Sequence, residues 1–422
     1  MTVQIIKGDC RNVLRTLAAD SVQTCITSPP YWGLRDYGVE PSVWGGSPDC
    51  QHEWEDQIWY TEQRAGKSGA EAFSEPGLEN SERLKAARWR RAATCKTCGA
   101  WRGAFGLEPT PELYVAHAVE IFREVHRVLH PEGTLWLNLG DSYARDARKG
   151  QHKPGDCGKQ GYIYDKGGGR ASACVDLASE ARGSSDGKVG RGDCAPIRNG
   201  ASGLKAKDLI GIPWMTAFAL RSDGWYLRQD IIWAKPNPMP ESVTDRCSKS
   251  HEYLFLFAKS ERYFYDVDAI AEPQSDVSLA RRDRADLRQK EGWADAHFGN
   301  PPAGVKRPKL VDRDRDAHEN FNARWLDSEH TTRNKRSVWE VATQPFNEAH
   351  FATFPPALIK PCVLAGCPEG GLVLDPFGGA GTTGLVADRL KRNAILIELN
   401  ESYAEMARHR IEGDAPLFAE VT

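Results

Sequence analysis

The segment Ser28-Pro29-Pro30-Tyr31 combines residue types that could act on an exocyclic amine. The Ser28 hydroxyl and the Pro29 carbonyl are two acceptors for the two N–H bonds of such an amine, and they would aim its lone pair at a methyl sulfonium. The prolines keep this backbone rigid, and Tyr31 can stack on a base swung out of a double helix. We therefore predict these four residues to be catalytic. The alternative is a proline-terminated loop with an incidental tyrosine.

A glycine-rich turn, Asp375 to Thr382, lies between an apolar run and a helical pattern. Glycines at this point let the backbone approach a ligand closely, at the sheet edge where α/β folds bind cofactors. Glu398 ends the next apolar run, where an acid can accept hydrogen bonds from ribose hydroxyls. No Walker lysine follows the glycines, which argues against a phosphate cradle. The alternative is a tight strand-to-helix turn that binds nothing.

Both motifs need a scaffold, and apolar runs that alternate with helical periodicity predict one. Such alternation is typical of an α/β fold with a doubly wound, mostly parallel sheet. The predicted strands are 3–6, 22–26, 134–139, 225–233, 253–258, 372–375 and 394–398, and the predicted longer helices are 110–129, 212–222 and 382–390.

With these motifs the chain resembles the amino-directed DNA methyltransferases. Their catalytic tetrapeptide is Asp/Asn/Ser-Pro-Pro-Tyr/Phe, and their cofactor motif is Asp-Pro-Phe-x-Gly-x-Gly-Thr. The catalytic motif comes first here and the cofactor motif lies near the C-terminus, an order similar to that of the permuted beta group. The resemblance implies a circularly permuted Rossmann-like fold, S-adenosylmethionine as cofactor, double-stranded DNA as partner and base flipping.

Three further segments are similar to the family. Gly8-Asp9 resembles the segment whose acid contacts the cofactor's adenine, 350–355 the segment that wraps its methionine end, and 230–237 the Trp-x-Lys-x-Asn stretch. The predicted cofactor-binding residues are Asp9, Phe351, Asp375, Pro376, Phe377, Gly379, Gly381, Thr382 and Glu398.

Ser28 bears on the target base, because Ser-Pro-Pro-Tyr resembles the cytosine-N4 members and Asp-Pro-Pro-Tyr the adenine-N6 members. A neutral hydroxyl suits cytosine, whose ring nitrogen and carbonyl already carry negative charge. The resemblance thus favours site-specific cytosine-N4 methylation of DNA. Such an enzyme could serve restriction–modification with a cognate endonuclease, protection of a phage's own DNA, or regulation. Adenine-N6 methylation, methylation of RNA or of a protein glutamine, and a non-catalytic DNA-binding protein that kept the fold remain alternatives.

Cys50 and His52, together with Cys95 and Cys98, have the composition of a metal site. Cys-x-x-Cys followed by glycine is a metal-binding knuckle, and three sulfurs with one imidazole fit tetrahedral zinc, here structural. The alternative is two unrelated pairs. Basic residues interleaved with Trp89 and Trp101 suggest phosphate contact with stacking, or else a solvated basic helix.

The domain organisation follows from these patterns. We predict a catalytic domain from 1–47, 104–143, 204–272 and 337–415, a zinc module at 48–103, and a flexible Gly/Ser-rich insertion at 144–203. The segment 273–336 is dense in arginine and aspartate, and it is either a target-recognition segment or a solvated one.

Composition adds limits of its own. The net charge of −3 does not by itself indicate nucleic-acid binding, although such binding needs only a basic face on the protein surface. The chain has no apolar run long enough for a membrane span and no signal-peptide pattern, and its 11 cysteines are scattered. These features predict reduced thiols and a cytoplasmic location, and the family resemblance implies a bacterial or phage-infected cell.

Overall fold

A computed structural model describes residues 1–34, 37, 39–60, 89–144, 204–276, 332–344, 354–414 and 420–421. The chain divides into two compact units, Met1–Phe264 with Ser337–Thr422, and Tyr265–Arg336. Phe351 and nearly all of the predicted insertion and target-recognition segments lie outside the described residues. The predicted domain boundaries stay predictions.

The larger unit is organised by a nine-stranded sheet, in the order β12-β8-β9-β7-β2-β13-β14-β1-β15. Its pairs are parallel except where β9 meets β7 and β8. The predicted α/β fold with a mostly parallel sheet is thereby confirmed. The strands are β1 (Thr2–Lys7), β2 (Val22–Thr27), β7 (Leu129–Leu139), β8 (Tyr226–Ala234), β9 (His251–Ala258), β12 (Val338–Glu340), β13 (Leu372–Asp375), β14 (Asn393–Glu398) and β15 (Glu420–Val421).

Helices pack against this sheet and begin where the sequence favours a start. In α2 the Thr110 hydroxyl accepts a hydrogen bond from the Leu113 amide at 3.2 Å, and Pro111 occupies the first turn. The side chains of Phe122 and Val125 are fully buried. The described helices are α1 (Cys10–Thr16), α2 (Pro111–Val128), α3 (Ile212–Ser222), α4 (Pro356–Gly366), α5 (Thr382–Arg389) and α6 (Glu401–Asp414).

A second, four-stranded sheet in the same unit has the order β3-β6-β5-β4, with antiparallel pairs throughout. Its strands are β3 (Ser42–Trp44), β4 (Trp54–Tyr60), β5 (Trp89–Cys95) and β6 (Trp101–Gly103). The polarity of this region concealed its strands from sequence reasoning, because only short stretches of each are apolar.

The smaller unit contains a two-stranded antiparallel sheet of β10 (Glu272–Pro273) and β11 (Thr332–Arg333). Lys335 forms an ion pair with Glu272 there, at 3.0 Å. Across the described parts of both units, none of the helices has the length and apolar character that crossing a membrane would require.

Candidate active site and metal cluster

The carboxyl ends of β1, β2, β13 and β14 meet around a cavity of about 300 Å³. In a parallel sheet these ends share one edge, so segments far apart in sequence converge there. The edge therefore brings the Ser-Pro-Pro-Tyr motif and the glycine-rich turn to one cavity. The predicted residues that line it are Asp9, Ser28, Pro29, Pro30, Tyr31, Pro376, Phe377, Gly379, Thr382 and Glu398.

Asp375 stands behind the turn and does not line this cavity. It is 1% exposed, and its carboxylate accepts hydrogen bonds from the hydroxyls of Thr27 and Thr383, each at 2.6 Å. Burial raises the pKa of this carboxyl to about 6, against the opposing effect of those bonds. Asp375 thus joins the end of β2 to the start of α5, and its role in cofactor binding stays a prediction.

The glycine turn is tight because neighbouring backbone comes very close. Gly381 caps α5 with φ +74°, and a Cβ there would lie 2.8 Å from the Cβ of Ala407 in α6. Gly381 packs against α6 and does not line the cavity, and its predicted part in cofactor binding stays a prediction. Gly379 does line it, and its amide donates to Glu398 Oε2 at 2.8 Å.

Glu398 presents a carboxylate at the end of β14. Its Oε1 accepts a hydrogen bond from the Asn400 amide at 2.8 Å, so backbone amides hold both oxygens in place. Burial raises the pKa of this carboxyl. Each oxygen has a second lone pair, which leaves the group able to accept hydrogen bonds from hydroxyls of a ligand in the cavity.

Asp9 caps the N-terminus of α1 and is held by Arg11. The guanidinium donates to Asp9 Oδ2 at 2.7 Å and to the Val43 carbonyl at 2.8 Å, and its Cζ lies 3.7 Å from the centre of the Trp44 ring. Burial alone would raise the Asp9 pKa, but hydrogen bonds and charge from Arg11 outweigh it and lower that pKa. The carboxylate is therefore a fixed, ionised acceptor beside the cavity.

Both the ring and the hydroxyl of Tyr31 are held in place by neighbouring residues. A Cβ at Gly140 would lie 2.5 Å from Tyr31 Cε2, so the ring rests where only glycine leaves room. Its hydroxyl lies 2.7 Å from Glu252 Oε2 and 3.0 Å from Asn138 Oδ1, and the shorter contact is the one to Glu252. Burial, with the charge of Glu252 adding to it, raises the pKa of Tyr31 well above its usual value. Tyr31 is thus a neutral donor.

Sequence reasoning missed Glu252, which forms an ion pair with Lys235 and lines the cavity. The reversed strand β9 starts at the edge where its neighbours end, and its register places Glu252 opposite Trp233 of β8. The available signal was an acid at the head of the apolar run 251–258. Asn138 and Trp44 were missed as well, because each acts through partners distant in sequence, and Arg11 was missed although Asp9 lies only two residues before it.

Cys50, His52, Cys95 and Cys98 are brought together by the four-stranded sheet, with ligand atoms all within 4.8 Å of one another. The Cys50 and Cys95 sulfurs are 3.8 Å apart, and Cys98 Sγ lies 3.4 Å from His52 Nδ1. A tetrahedral zinc with bonds of about 2.3 Å to sulfur and about 2.0 Å to nitrogen spaces its ligands in this way. The donor set fits a closed metal site.

Trp101 departs from the expected stacking role. Its side chain is 2% exposed and stacks on His117, with 5.4 Å between ring centres. A buried indole cannot stack on a nucleic-acid base, so that interpretation of Trp101 was wrong. Of the basic residues around it, Arg102 lies over the Trp54 ring at 4.8 Å.

Comparison with known proteins agrees with these features. The model of the N6/N4 methylase family, described as "DNA methylase", matches residues 22–409. Type II methyltransferase M.XycI of Xanthomonas campestris pv. cyanopsidis is 35% identical over 97% of this chain and 87% of its own length. Type II methyltransferase M.SmaI of Serratia marcescens is 34% identical over 97% of this chain and 90% of its own length. The chain therefore belongs to the N6/N4 family of DNA methyltransferases, as its two motifs predict.

Proposed function

We propose that this enzyme transfers the methyl group of S-adenosylmethionine to the N4 amine of cytosine at a specific site in double-stranded DNA. The observation that carries the proposal is that Ser28 lines the same cavity as Glu398 and the glycine-rich turn. A donor bound at the turn and an amine bound at Ser28 would share one enclosed space. In such a space, approach and orientation supply most of the rate.

The donor site would use the residues already described. Glu398 would accept hydrogen bonds from ribose hydroxyls, Asp9 would contact the adenine edge, and Phe377 with the backbone of Gly379 would line the sulfonium side. When bound, S-adenosylmethionine supplies an electrophilic methyl group on a positively charged sulfur. Phe351 is predicted to wrap the methionine end, and it lies outside the described residues.

The target amine would be held by Ser28 Oγ and the Pro29 carbonyl, with Tyr31 stacked on the flipped base. The nitrogen–carbon bond forms as the sulfur–carbon bond breaks, and the amine then loses a proton. A hydrogen-bonded path leads away from it, from Ser28 Oγ to the Tyr31 hydroxyl at 3.3 Å and on to Glu252 Oε2 at 2.7 Å. Glu252 would accept this proton by relay, and no covalent intermediate with the enzyme is formed.

Cytosine is favoured over adenine because the residue at the amine is a neutral serine. The Glu252 carboxylate, which accepts from the Tyr31 hydroxyl, is already engaged by Lys235, so it does not replace an aspartate at position 28. Adenine-N6 methylation is the second candidate, since the same two acceptors could orient that amine.

The test is methyl transfer to unmethylated genomic DNA with labelled S-adenosylmethionine, followed by nucleoside digestion and mass spectrometry. We expect N4-methylcytosine. Formation of N6-methyladenine would support methyl transfer to DNA and overturn the assignment of cytosine as the target base. A protein that binds S-adenosylmethionine and DNA yet yields no methylated nucleoside would overturn methyl transfer and support a non-catalytic DNA-binding role.

The setting we propose is restriction–modification with a cognate endonuclease, because the relatives above are type II methyltransferases. Methylation at one short sequence, which protects it from one endonuclease, is the expected pattern. Mapping methylated positions in treated DNA tests this, and methylation without sequence preference would contradict it.

We also propose that the four ligands Cys50, His52, Cys95 and Cys98 hold one structural Zn²⁺. All four tetrahedral positions would be filled by protein, which leaves none for a substrate. Metal analysis of the purified chain should give about one zinc per molecule. Protein with no metal after growth in zinc-supplemented medium would contradict it.

A further inference from the structure

We infer that the metal cluster maintains one wall of the cofactor cavity, so that metal binding strengthens cofactor binding. The inference rests on the proposed zinc site and on the proposed cofactor. It assigns the metal module a task at the donor site, in place of the DNA contact that its basic composition suggested.

The four ligands come from two separate segments of the small sheet. Cys50 and His52 lie between β3 and β4, whereas Cys95 ends β5 and Cys98 lies in the turn before β6. A bound metal would therefore tie the segment that leaves β3 to the turn that leads into β6. These two strands are also hydrogen-bonded neighbours, so the metal would close the pair at one end.

Close packing at the same end shows that the two segments are in direct contact. Gly46 has φ +77°, and a Cβ there would lie 2.8 Å from Cys98 Sγ and 2.6 Å from the Cβ of Ala100. The chain leaving β3 thus passes against the knuckle with no room for a side chain. Movement of the knuckle would be transmitted to β3 directly.

Strand β3 connects the metal cluster to the cofactor cavity. Trp44 pairs with Trp101 across the strands, and its indole nitrogen donates to the Gly103 carbonyl at 3.1 Å. The Trp44 side chain is 3% exposed and lines the cavity, as do Ser42 and Phe105. Trp44 also stacks on Phe105, with 5.4 Å between ring centres.

The same strand holds the acid at the adenine end of the cavity. Arg11 bonds the Val43 carbonyl and lies over the Trp44 ring while it pairs with Asp9. If β3 moves, Arg11 loses a hydrogen bond and a ring contact, and Asp9 keeps its capping bond to the Arg11 amide but is held less firmly by the guanidinium. Loss of metal would therefore reach a predicted cofactor contact as well as the apolar wall.

Packing of Trp44 and Trp101 into the core holds the middle of β3 and β6, but few hydrogen bonds secure the end at which the ligands lie. β3 and β6 contain three residues each, and strands this short supply few hydrogen bonds. A closed metal site supplies folding free energy in such modules. Most of the buried core comes from the nine-stranded sheet and its helices, with Trp44 and Trp101 joining it from the small sheet, so the large sheet should persist when the metal leaves.

The experiment measures cofactor binding in the full-length protein with and without metal. Zinc is removed with a chelator and then restored, while metal content, the S-adenosylmethionine dissociation constant and the melting temperature are followed. We expect binding to weaken about tenfold, equivalent to about 1.4 kcal/mol, and to recover when zinc is added back. The melting transition of the nine-stranded sheet should be observed both without zinc and after zinc is restored.

A variant pair repeats the test without a chelator. Cys98→Ser should lose metal and weaken cofactor binding, whereas Cys247→Ser removes an exposed thiol outside the cluster and should change neither. Should Cys98→Ser fail to fold, chelation and zinc return on the unmodified chain still decide the matter.

The outcomes separate the inference from the proposals beneath it. Unchanged cofactor affinity in metal-free protein overturns the coupling and leaves the zinc site intact. If metal-free protein loses DNA affinity while its cofactor affinity is unchanged, the coupling to the cofactor is again overturned. That result would support a role of the metal module in DNA contact. Protein that binds cofactor fully but never takes up zinc overturns both metal statements, and zinc-loaded protein without cofactor affinity overturns the proposed donor site.

Discussion

The carboxyl edge of the nine-stranded sheet and the metal cluster of the four-stranded sheet bring distant residues together by different means. At the edge, the central strands β2 and β13 have mostly buried side chains, and buried groups such as Asp375 fasten one strand end to the next. In the small sheet, the four predicted ligands lie at the end of β5 and in the connections between strands, and their spacing fits a metal that would join them.

The difference indicates which parts of the molecule should withstand a change. Positions at the edge are held by packing that the whole unit shares, so a local change there alters chemistry or global stability. Positions near the four predicted ligands would depend on the proposed ion, so a change there should act first on metal content. The following substitutions test that division, in order of decreasing effect.

Ser28→Ala should lower kcat about 100-fold, because the amine loses one of its two acceptors and its lone pair is no longer aimed. Cofactor affinity and melting temperature should stay unchanged, since Ser28 belongs to neither core nor donor site. The control is Ser222→Ala at the exposed end of α3. Methyl-transfer kinetics are the measurement, and full activity in Ser28→Ala would contradict the proposed role.

Gly381→Ala should reduce the free energy of unfolding by about 2–4 kcal/mol, from left-handed backbone strain and overpacking against Ala407. Gly370 is a matched control, because its φ of +76° carries the same strain while nothing lies within 4 Å of its Cβ position. Gly370→Ala should cost about 1–2 kcal/mol. Denaturant unfolding measures both, and equal losses would show that close packing at the turn is unimportant.

Gly46→Ala should weaken zinc binding about tenfold or more, because the added methyl group displaces Cys98 from its position. Its neighbour Gly45 also has a positive φ, +63°, but has open space around its Cβ position. Gly45→Ala should therefore retain zinc. Competition with a zinc chelator gives the affinities. Global unfolding of Gly46→Ala would contradict the proposal that the nine-stranded sheet stays folded without the metal.

Glu252→Gln should lower kcat about tenfold, because a neutral amide is a weaker acceptor for Tyr31 and cannot take a proton from the relay. The dissociation constant for S-adenosylmethionine should not change. Glu369→Gln removes a charge from an exposed ion pair with Lys391 and serves as control. A pH–rate profile that is identical in Glu252→Gln and the unmodified enzyme would argue against the relay.

Asp375→Asn should change how stability depends on pH. Burial raises the folded pKa of Asp375 from 3.8 to about 6, so its contribution is fully present below the unfolded pKa and is lost as the pH rises through about 6. From pH 5 to 7.5 the unmodified protein should lose about 1 kcal/mol relative to Asp375→Asn. Parallel pH dependences in denaturant unfolding would contradict the raised pKa.

Local patterns in the sequence were enough for the parts of the site that lie within one segment. Ser-Pro-Pro-Tyr, the glycine-rich turn and the acid at Glu398 each follow directly from a strand, and the carboxyl ends of parallel strands share an edge. The sequence alone therefore predicted that these residues meet, together with the α/β class and the grouping of Cys50, His52, Cys95 and Cys98. Their chemistry depends on residue type and spacing, which a sequence shows.

The tertiary structure decided how those residues are held. β9 runs opposite to its neighbours, and this reversal brings Glu252 to Tyr31 and Lys235. The pairing of β3 with β6 buries Trp101 and connects the ligands to Trp44. Strand direction and pairing arise from long-range packing and hydrogen bonding, which leave no local pattern in the segments involved. For that reason the contacts of Glu252 with Tyr31 and Lys235, and the cavity wall that β3 forms with Trp44, could be recognised only in the folded chain.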